Sequence, residues 1–310
     1  MHIPVLLKES VEMLDLKDGQ IVVDATLGDG GHTKEILKKI NKKGEIIAID
    51  LDEKSINENR KRFLDYEEQI FFINDNFANL KNILERTRIE KVDAILADLG
   101  WRMDQVKKAE YGMSFKVDGP LDMRMNVNSS QELTAEKIVN DWNRNKLIEI
   151  FKKYGEERFS SLAVKNIIIA RKKRRIETTR ELTEILEKSL GRYYRNKRTH
   201  PATKIFQALR ITVNQELENL EKFLSQALSE LKNGGYLAVI TFNSLEDRIV
   251  KKFFQTNARG CICPKEFPIC NCGQKPKVKV ITSKPIIPKE EELKNNPRSR
   301  SAKLRVVRKI

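Results

Sequence analysis

The sequence has no apolar run long enough to cross a membrane. Its longest apolar stretches are the size of a strand, whereas a membrane span needs about eighteen apolar residues or more. The amino-terminal stretch MHIPVLLKES also lacks the basic and small-residue pattern of a signal peptide. These absences predict a cytoplasmic location and no membrane partner. With 310 residues and 40% hydrophobic content, the chain is long enough for one large domain or two ordinary ones around a real core.

Acidic residues are scarce relative to basic ones. The chain has 59 Lys and Arg against 44 Asp and Glu, so its net charge is +15. The excess is concentrated in two segments: residues 171–198 hold eleven basic residues and four Glu, and residues 297–310 hold six basic residues and no acid. Concentrated positive charge favours a polyanionic partner, most often a nucleic acid. A solvated helix face with a basic tail is the alternative interpretation.

Cysteine is confined to one short segment. The four cysteines of the chain are Cys261, Cys263, Cys270 and Cys272. Their pattern, C-x-C, six residues and C-x-C, in a stretch interrupted by Pro264, Pro268 and Gly273, predicts one tetrahedral thiolate site for structural zinc. Disulfides are disfavoured in a reducing compartment. Reduced thiols in a loop are the alternative, because the spacing is tighter than the usual C-x-x-C of a zinc knuckle.

Residues 20–52 have the pattern of a nucleotide-binding βαβ unit. An apolar strand, Ile21 to Val23, leads to Asp24, then to a glycine loop and an amphipathic helix. The glycines of the loop are Gly28, Gly30 and Gly31. A second apolar strand ends at Asp50, which places an acidic side chain about twenty residues past the loop. That is where an open α/β sheet holds ribose hydroxyls.

The loop lacks the third glycine of the dinucleotide fingerprint, since Thr33 stands in that position. A pyrophosphate site, and with it a nucleotide-dependent oxidoreductase, is therefore disfavoured. With Asp24 on the strand and the Gly28-Asp29-Gly30-Gly31 turn, the segment resembles the S-adenosylmethionine loop of class I methyltransferases. Their glycines let backbone amides approach a ligand that has no phosphates. A strand-to-helix turn of some other α/β protein is the plain alternative.

The alternation of strands and helices continues to Leu99, which predicts a parallel sheet. Residues 134–192 are then helical, a long helix is predicted from Pro201 to Leu231, and an apolar strand follows at residues 236–242. An excursion of this length is too long for a plain loop. The fold predicted is a class I methyltransferase (Rossmann-like) α/β fold with a mainly parallel sheet. Residues 1–106 and 200–310 form its S-adenosylmethionine-binding domain, and residues 107–199 form an inserted, helical and basic RNA-recognition domain.

The fourth predicted strand ends at Asp98, three residues before Trp101. Because the carboxyl ends of parallel strands line one crevice, Asp24, Asp50 and Asp98 should converge there. Methyltransferases that act on the exocyclic amine of a base resemble this Asp98-to-Trp101 arrangement. An arylamine nitrogen is a poor nucleophile, so an acceptor on its N–H restores electron density while an aromatic face holds the base by stacking. Asp98 and Trp101 are thus the predicted catalytic pair; an ordinary strand-end Asp beside a packed Trp is the alternative.

Ordered sequence blocks along nearly the whole chain resemble the RsmH (MraW) family. They are HIPVLLKES, DATLGDGGHT, ILADLG, YGMSFKVDGPLDMRM, YGEERF, HPATKIFQALRITVNQELENL, GGYLAVITFNSLEDRIVK and NPRSRSAKLR. The resemblance implies an S-adenosylmethionine-dependent enzyme that methylates N4 of a cytidine in the decoding region of 16S ribosomal RNA. Its partner would be small-subunit ribosomal RNA or the small ribosomal subunit. It also implies a helical domain inserted in a class I fold, and no metal for methyl transfer.

The resemblance also implies cofactor contacts at particular positions. These are Gly30, Gly31, His32, Asp50, Phe77, Asp98 and Gln105. Phe77 would pack on the adenine. Two departures fall at the rim of the predicted site: Trp101-Arg102-Met103 replaces a family stretch with two serines, and Asn243 replaces a histidine. Because of these departures, an alternative interpretation stays open. In it, the protein is a paralogue that binds S-adenosylmethionine but has another substrate, or that has lost turnover and acts as an RNA-binding protein.

Overall fold

The computed structural model describes residues 4–100, 109–125, 132–197, 199–261, 263–264, 267–269 and 271–310. The chain divides into two compact units. The first unit consists of residues 1–100 and 217–310, and the second of residues 101–216. The predicted domains had their boundaries at 106/107 and 199/200, so the second unit contains one more helical segment than the predicted insertion.

The described strands of the first unit form a seven-stranded sheet. They are β1 (Ile21–Asp24), β2 (Glu45–Asp50), β3 (Ile70–Asn74), β4 (Val92–Asp98), β5 (Leu231–Thr241), β6 (Val278–Val280) and β7 (Lys303–Lys309). Their order in the sheet is β3-β2-β1-β4-β5-β7-β6. Strands β1 to β5 pair in parallel, whereas β7 runs antiparallel to both β5 and β6. This mainly parallel, Rossmann-like sheet confirms the predicted class I methyltransferase fold.

Helices cover both faces of the sheet. Those of the first unit are α1 (Leu7–Met13), α2 (Gly31–Ile40), α3 (Glu53–Arg62), α4 (Leu80–Thr87), α10 (Glu216–Glu230), α11 (Ser244–Ala258) and α12 (Glu290–Asn295). Neighbouring strand residues point to opposite faces, so Val22 packs with α1, α2 and α3 while Val23 packs with α4, α10 and α11. The central strands are buried on both sides, which explains why they are nearly continuous apolar runs.

The second unit is helical in its described part. Its helices are α5 (Ala135–Asp141), α6 (Arg144–Lys153), α7 (Ser160–Lys173), α8 (Thr179–Tyr194) and α9 (Thr203–Asn214). The prediction of one long helix from Pro201 to Leu231 is wrong. Helix α9 ends where Gln215 adopts a left-handed backbone (φ 50°), and α10 starts at the next residue. Within the ranges that the structure describes, no helix is both long and apolar enough to cross a membrane.

Candidate active site

Strands β1 and β4 are joined at their carboxyl ends by one threonine. The Thr26 amide donates to Asp24 Oδ1 (3.3 Å), and the Thr26 hydroxyl accepts from the Asp98 amide (2.6 Å). Strand β2 pairs with β1 in parallel register and ends at Asp50. The structure therefore brings Asp24, Asp50 and Asp98 to one edge of the sheet, beside the glycine loop.

Buried polar side chains hold the glycine loop from below. The Thr33 hydroxyl donates to Asp24 Oδ2 (2.6 Å), so the residue in place of a third glycine fastens α2 to the end of β1. From α3, Ser55 Oγ (2.6 Å) and Asn59 Nδ2 (2.8 Å) both donate to the Gly28 carbonyl. Sequence analysis missed Ser55 and Asn59. Their signal was two small polar residues at i and i+4 in a helix with little apolar face.

Close packing explains why two residues of the loop are glycines. Gly30 has a left-handed backbone (φ +74°), and a Cβ there would overlap the side chains of Asn59 and Phe63. A Cβ on Gly31 would overlap the ring of Pro4. Gly30 is also the N-cap of α2 and supplies no capping side chain. These glycines thus pack the loop against its own unit, a second reason for them besides the predicted approach of a ligand.

The Asp50 carboxylate accepts hydrogen bonds from the glycine loop and from its own strand end. Its Oδ1 accepts from the Asp52 amide (2.9 Å), and its Oδ2 accepts from the Gly28 amide (2.8 Å) and lies 2.9 Å from the Ser55 hydroxyl, whose one proton it shares with the Gly28 carbonyl. A carboxylate has about four acceptor sites, so about one is left for a ligand hydroxyl. Burial raises the pKa of Asp50 to about 6, against the lowering effect of these hydrogen bonds. At neutral pH the group is therefore ionised and fits a ribose hydroxyl.

Asp98 lies at the end of β4 beside the first turn of α2. Its Oδ1 accepts from the Gly100 amide (3.2 Å), and its Oδ2 is 3.9 Å from Nδ1 of His32. Burial raises the pKa of Asp98, and His32 opposes that shift. Negative charge on Asp24 and Glu292 raises the pKa further. In its ionised form, a carboxylate whose pKa is raised is a stronger base than an exposed aspartate.

Glu292 is a third residue of the site that was not predicted from the sequence. It belongs to α12, near the carboxyl terminus of the chain, and its Oε1 accepts from the Leu6 amide (3.0 Å). Burial is the main cause that raises the pKa of Glu292. The amino-terminal segment and α12 thus meet near Asp98. A contact between segments so distant along the chain has no local pattern that would reveal it.

Phe77 lies three residues past the end of β3. Its ring packs edge-on against Phe223 of α10, with ring centroids 5.1 Å apart and planes at 87°. The residue is only partly buried. Asp75, two residues earlier, donates its amide to the Asp50 carbonyl (3.1 Å), so the Phe77 segment follows directly on the Asp50 strand end. This position suits the adenine contact that the resemblance implied.

The three carboxylates of Asp24, Asp50 and Asp98 form what we call the acidic edge, and it favours a cationic ligand over a pyrophosphate. Burial is the largest cause that raises the pKa of each of Asp24, Asp50 and Asp98. A cation beside them lowers the free energy of their ionisation, whereas a pyrophosphate would raise it. S-adenosylmethionine carries a sulfonium and an ammonium group and no phosphate. The three carboxylates therefore fit this cofactor better than a dinucleotide.

Two predicted site residues, Trp101 and Gln105, lie outside the described residues. Asn243, where the family usually has histidine, is the N-cap of α11: its Oδ1 accepts from the amides of Leu245 and Glu246 (both 3.0 Å). Asparagine is among the best N-cap residues. This departure from the family pattern therefore has a structural role that the sequence comparison had not revealed.

Three basic residues near the carboxyl terminus contact other parts of the first unit. Arg305 Nε lies 2.6 Å from Asp247 Oδ1 and Lys303 Nζ 3.0 Å from Asp247 Oδ2, and Arg305 is 6% exposed. Lys309 Nζ donates to the Leu231 carbonyl (2.7 Å). These contacts lie within the sheet and its covering helix α11. The positive charge of residues 303–309 is thus largely engaged inside the first unit.

The basic residues of the second unit are only partly engaged. Arg175 pairs with Glu136 (2.5 Å) and Asp141 (2.9 Å), whereas Lys172 and Lys173 are exposed at the end of α7. At the opposite, amino-terminal end of α7, the rings of Phe159 and Tyr193 stack with centroids 4.1 Å apart, and both are partly exposed. The guanidinium of Arg192 lies 4.5 Å from the Tyr193 ring centroid, and Lys197 Nζ lies 5.9 Å from the Phe159 centroid. Aromatic faces beside cations are typical of surfaces that bind single-stranded nucleic acid.

The structure brings together three of the four predicted metal ligands. The Sγ atoms of Cys261, Cys263 and Cys272 lie within 4.8 Å of one another. Cys270 lies outside the described residues. The cluster belongs to the segment between α11 and β6. This segment lies at the amino ends of the parallel strands, opposite the ends that carry the aspartates.

The model of the MraW methylase family matches residues 1–310. Ribosomal RNA small subunit methyltransferase H of Halothermothrix orenii is 48% identical over 309 residues, covering 100% of this chain and 98% of the relative. The protein of the same name from Clostridium botulinum is 47% identical over 309 residues, covering 100% and 99%. A solved rRNA methylase from Streptococcus thermophilus aligns at 13% identity over 100% of this chain and 99% of that chain, with a TM-score of 0.44. Because the family model spans the whole chain, the protein belongs to the MraW methylase family, as its sequence blocks predicted, and its methyl donor is S-adenosylmethionine.

Proposed function

We propose that this protein methylates the N4 amine of a cytidine in the decoding region of 16S ribosomal RNA. One observation carries the proposal: a carboxylate with a raised pKa, Asp98, ends β4 beside His32 and the glycine loop. The names of relatives at 44% to 48% identity over the full chain support a small-subunit ribosomal RNA substrate. A ribosomal substrate also supports the expected cytoplasmic location.

Asp98 would act on the amine that receives the methyl group. S-adenosylmethionine supplies an electrophilic methyl group on its sulfonium. The Asp98 carboxylate accepts an N–H of the cytidine amine, which localises the nitrogen lone pair for attack and then takes up or relays the proton that is lost. The Gly100 amide on Oδ1 and His32 near Oδ2 orient the carboxylate. Trp101 is the proposed stacking face for the base.

The cofactor would lie along the carboxyl edge of the sheet. In the proposal, Asp50 accepts from a ribose hydroxyl and Phe77 packs on the adenine. The loop and its helix contact the methionine part, together with Asp98 and the remaining predicted residues. Those are Gly30, Gly31, His32 and Gln105. The acidic edge supports this arrangement, since it favours a cationic ligand.

The second unit would supply contacts to RNA. Its exposed cations and the stacked rings of Phe159 and Tyr193 are the two features that nucleic-acid surfaces combine. In the first unit, by contrast, Arg305 pairs with Asp247 and Lys309 donates to the Leu231 carbonyl. The inserted helical region, rather than the carboxyl terminus, is thus our proposed RNA-recognition element.

A methyl-transfer assay tests the proposal. Protein, labelled S-adenosylmethionine and either free 16S ribosomal RNA or purified small subunits from cells lacking the modification are incubated together. We expect label in the RNA of at least one of these substrates, and none with Asp98→Ala. Cofactor binding by calorimetry without any transfer to RNA would instead support the alternative, an S-adenosylmethionine-binding protein that has lost turnover. Label in another class of molecule would overturn the proposed substrate.

A further inference from the structure

We propose that Cys261, Cys263 and Cys272 bind a structural zinc ion. Cys261 Sγ and Cys272 Sγ are 3.7 Å apart, and all three Sγ atoms lie within 4.8 Å of one another. A tetrahedral zinc ion with Zn–S bonds of about 2.3 Å holds its sulfurs about 3.8 Å apart. A disulfide would need about 2.0 Å. The thiols are therefore spaced for a shared ion and not for a covalent bond.

The ligands come from the two halves of one loop. Residues 259–277 join α11 to β6, and the loop is closed at its base where the Lys277 amide donates to the Asn257 carbonyl (2.8 Å). Within the loop, the Cys263 amide donates to Cys261 Sγ (3.4 Å), a contact that stabilises a thiolate. The sequence pattern offers Cys270 as a fourth ligand; that residue lies outside the described part of the chain.

The apolar residues described in the loop do not form a core that would hold the thiols together. Phe267 is 53% exposed and Ile269 is 73% exposed. The described residues of this loop belong to no helix or strand, and long loops of that kind are uncommon in compact domains, so the order of the loop needs a source other than apolar burial. A metal ion supplies such a source because its binding free energy contributes directly to folding.

The chemistry of the ligands favours zinc. Thiolate ligands select soft or borderline ions, and zinc is the redox-inactive ion that adopts tetrahedral sulfur coordination. A zinc ion with three or four thiolates is anionic. Arg259, Lys275 and Lys277 lie in the same loop and favour an anionic centre by charge.

The proposed site is remote from the acidic edge. Helix α11 starts at Ser244, next to the carboxyl end of β5, and its 15 residues carry the chain about 22 Å away before the loop begins. A metal here would fasten α11 to the edge strand β6 and take no part in methyl transfer. Its presence is therefore independent of the proposed substrate.

The wild-type protein provides the first test. Protein produced with zinc in the medium and purified without chelator should contain about one zinc ion per chain by elemental mass spectrometry. Its thiols should resist a thiol reagent until a strong chelator is added. Replacement of zinc by cobalt should produce the absorption bands of tetrahedral cobalt thiolate. Absence of stoichiometric zinc with freely reactive thiols, or stoichiometric iron instead, would overturn the assignment.

A double variant provides the second test. Cys261→Ser with Cys272→Ser should abolish zinc binding and increase proteolysis within residues 259–277. Asn271→Ser, an exposed neighbour in the same loop, should retain zinc. Calorimetric binding of S-adenosylmethionine should persist in both and shows that they are folded. Retention of stoichiometric zinc by the double variant would overturn the proposed ligands; if that variant fails to fold, the cobalt spectrum of the wild-type protein decides.

Discussion

Strand β4 carries an aspartate near each end, and the two differ in every respect that matters for chemistry. Near the amino end, Asp93 accepts from the Ile21 amide (2.9 Å) and pairs with Lys232 (2.9 Å). At the carboxyl end, Asp98 lies among other acids and beside His32, and its pKa is raised. Asp93 thus has a structural role at one end of β4, whereas Asp98 at the other end is suited to accept a proton.

The loops at the two edges differ in the same way. At the carboxyl edge, buried Asp24, Thr33 and Asn59 hold the glycine loop by hydrogen bonds from its own unit. At the opposite edge, residues 259–277 expose their described apolar side chains and bring three thiols together. One loop is held by the protein alone, and the other is proposed to need an ion.

The largest effect is expected when the two aspartates of β4 are exchanged for alanine. Asp98→Ala should lower the rate of methyl transfer by about 100-fold or more, because the reacting amine then has no acceptor for its N–H. Asp98→Asn should be intermediate, since its amide oxygen accepts an N–H but takes up no proton. The matched control Asp93→Ala should leave the rate within about twofold. If Asp93→Ala and Asp98→Ala reduced the rate of methyl transfer equally, the proposed difference between the two ends of β4 would be wrong.

A stability measurement tests how the glycine loop is held. Thr33→Val removes the donor to the buried Asp24 carboxylate and should lower the free energy of unfolding by about 1–3 kcal/mol. Thr33→Ser keeps the hydroxyl and should recover most of that stability. The measurement is urea denaturation followed by circular dichroism. If valine and serine behave alike, the hydrogen bond is not what holds the loop.

The pH dependence of cofactor binding tests Asp50. Its pKa of about 6 means that the carboxyl is ionised at pH 7 and becomes protonated as the pH falls through 6. A ribose hydroxyl donates to the ionised form, so the affinity should be full above pH 7 and about tenfold lower at pH 5. Calorimetric titrations at several pH values measure this. Asp50→Asn should bind more weakly at pH 7 with a flatter profile; an unchanged profile would exclude Asp50 as the titrating group.

The smallest effect is expected from exposed lysine pairs in the two units. Lys172→Ala with Lys173→Ala should weaken RNA binding a few-fold. The slope of log K against the logarithm of the salt concentration should become less steep by about one for each phosphate that is no longer neutralised. The control pair, Lys251→Ala with Lys252→Ala on α11, removes the same charge from the first unit. Filter binding at several salt concentrations measures both. Equal effects would mean that RNA affinity follows net charge rather than the second unit.

Much of the fold follows from patterns that are local in the sequence. The strand runs that end at Asp24, Asp50 and Asp98 predicted the parallel sheet and its acidic edge, because strand ends of a parallel sheet must meet. The end of α9 was not predictable in this way. Gln215 carries no helix-breaking chemistry, yet it adopts a left-handed backbone that ends the helix.

Parts of the site depend on contacts that no local pattern encodes. Glu292 comes near Asp98 only because α12 folds back onto the amino-terminal segment. Asn243 was interpreted as a missing histidine, whereas its role as the N-cap of α11 depends on where the helix starts. The charge pattern of residues 297–310 likewise does not reveal which basic residues pair inside the fold, since Asp247 and Arg305 meet only in the folded sheet.

Nucleoside mass spectrometry of 16S ribosomal RNA shows which atom of the RNA this protein methylates. Small subunits that lack the modification are incubated with the protein and S-adenosylmethionine, and the RNA is digested and analysed fragment by fragment. We expect N4-methylcytidine in a fragment from the decoding region, and unmodified cytidine there with Asp98→Ala. A methyl group on a ribose oxygen or on another base, or no methyl transfer by protein that binds the cofactor, would contradict it.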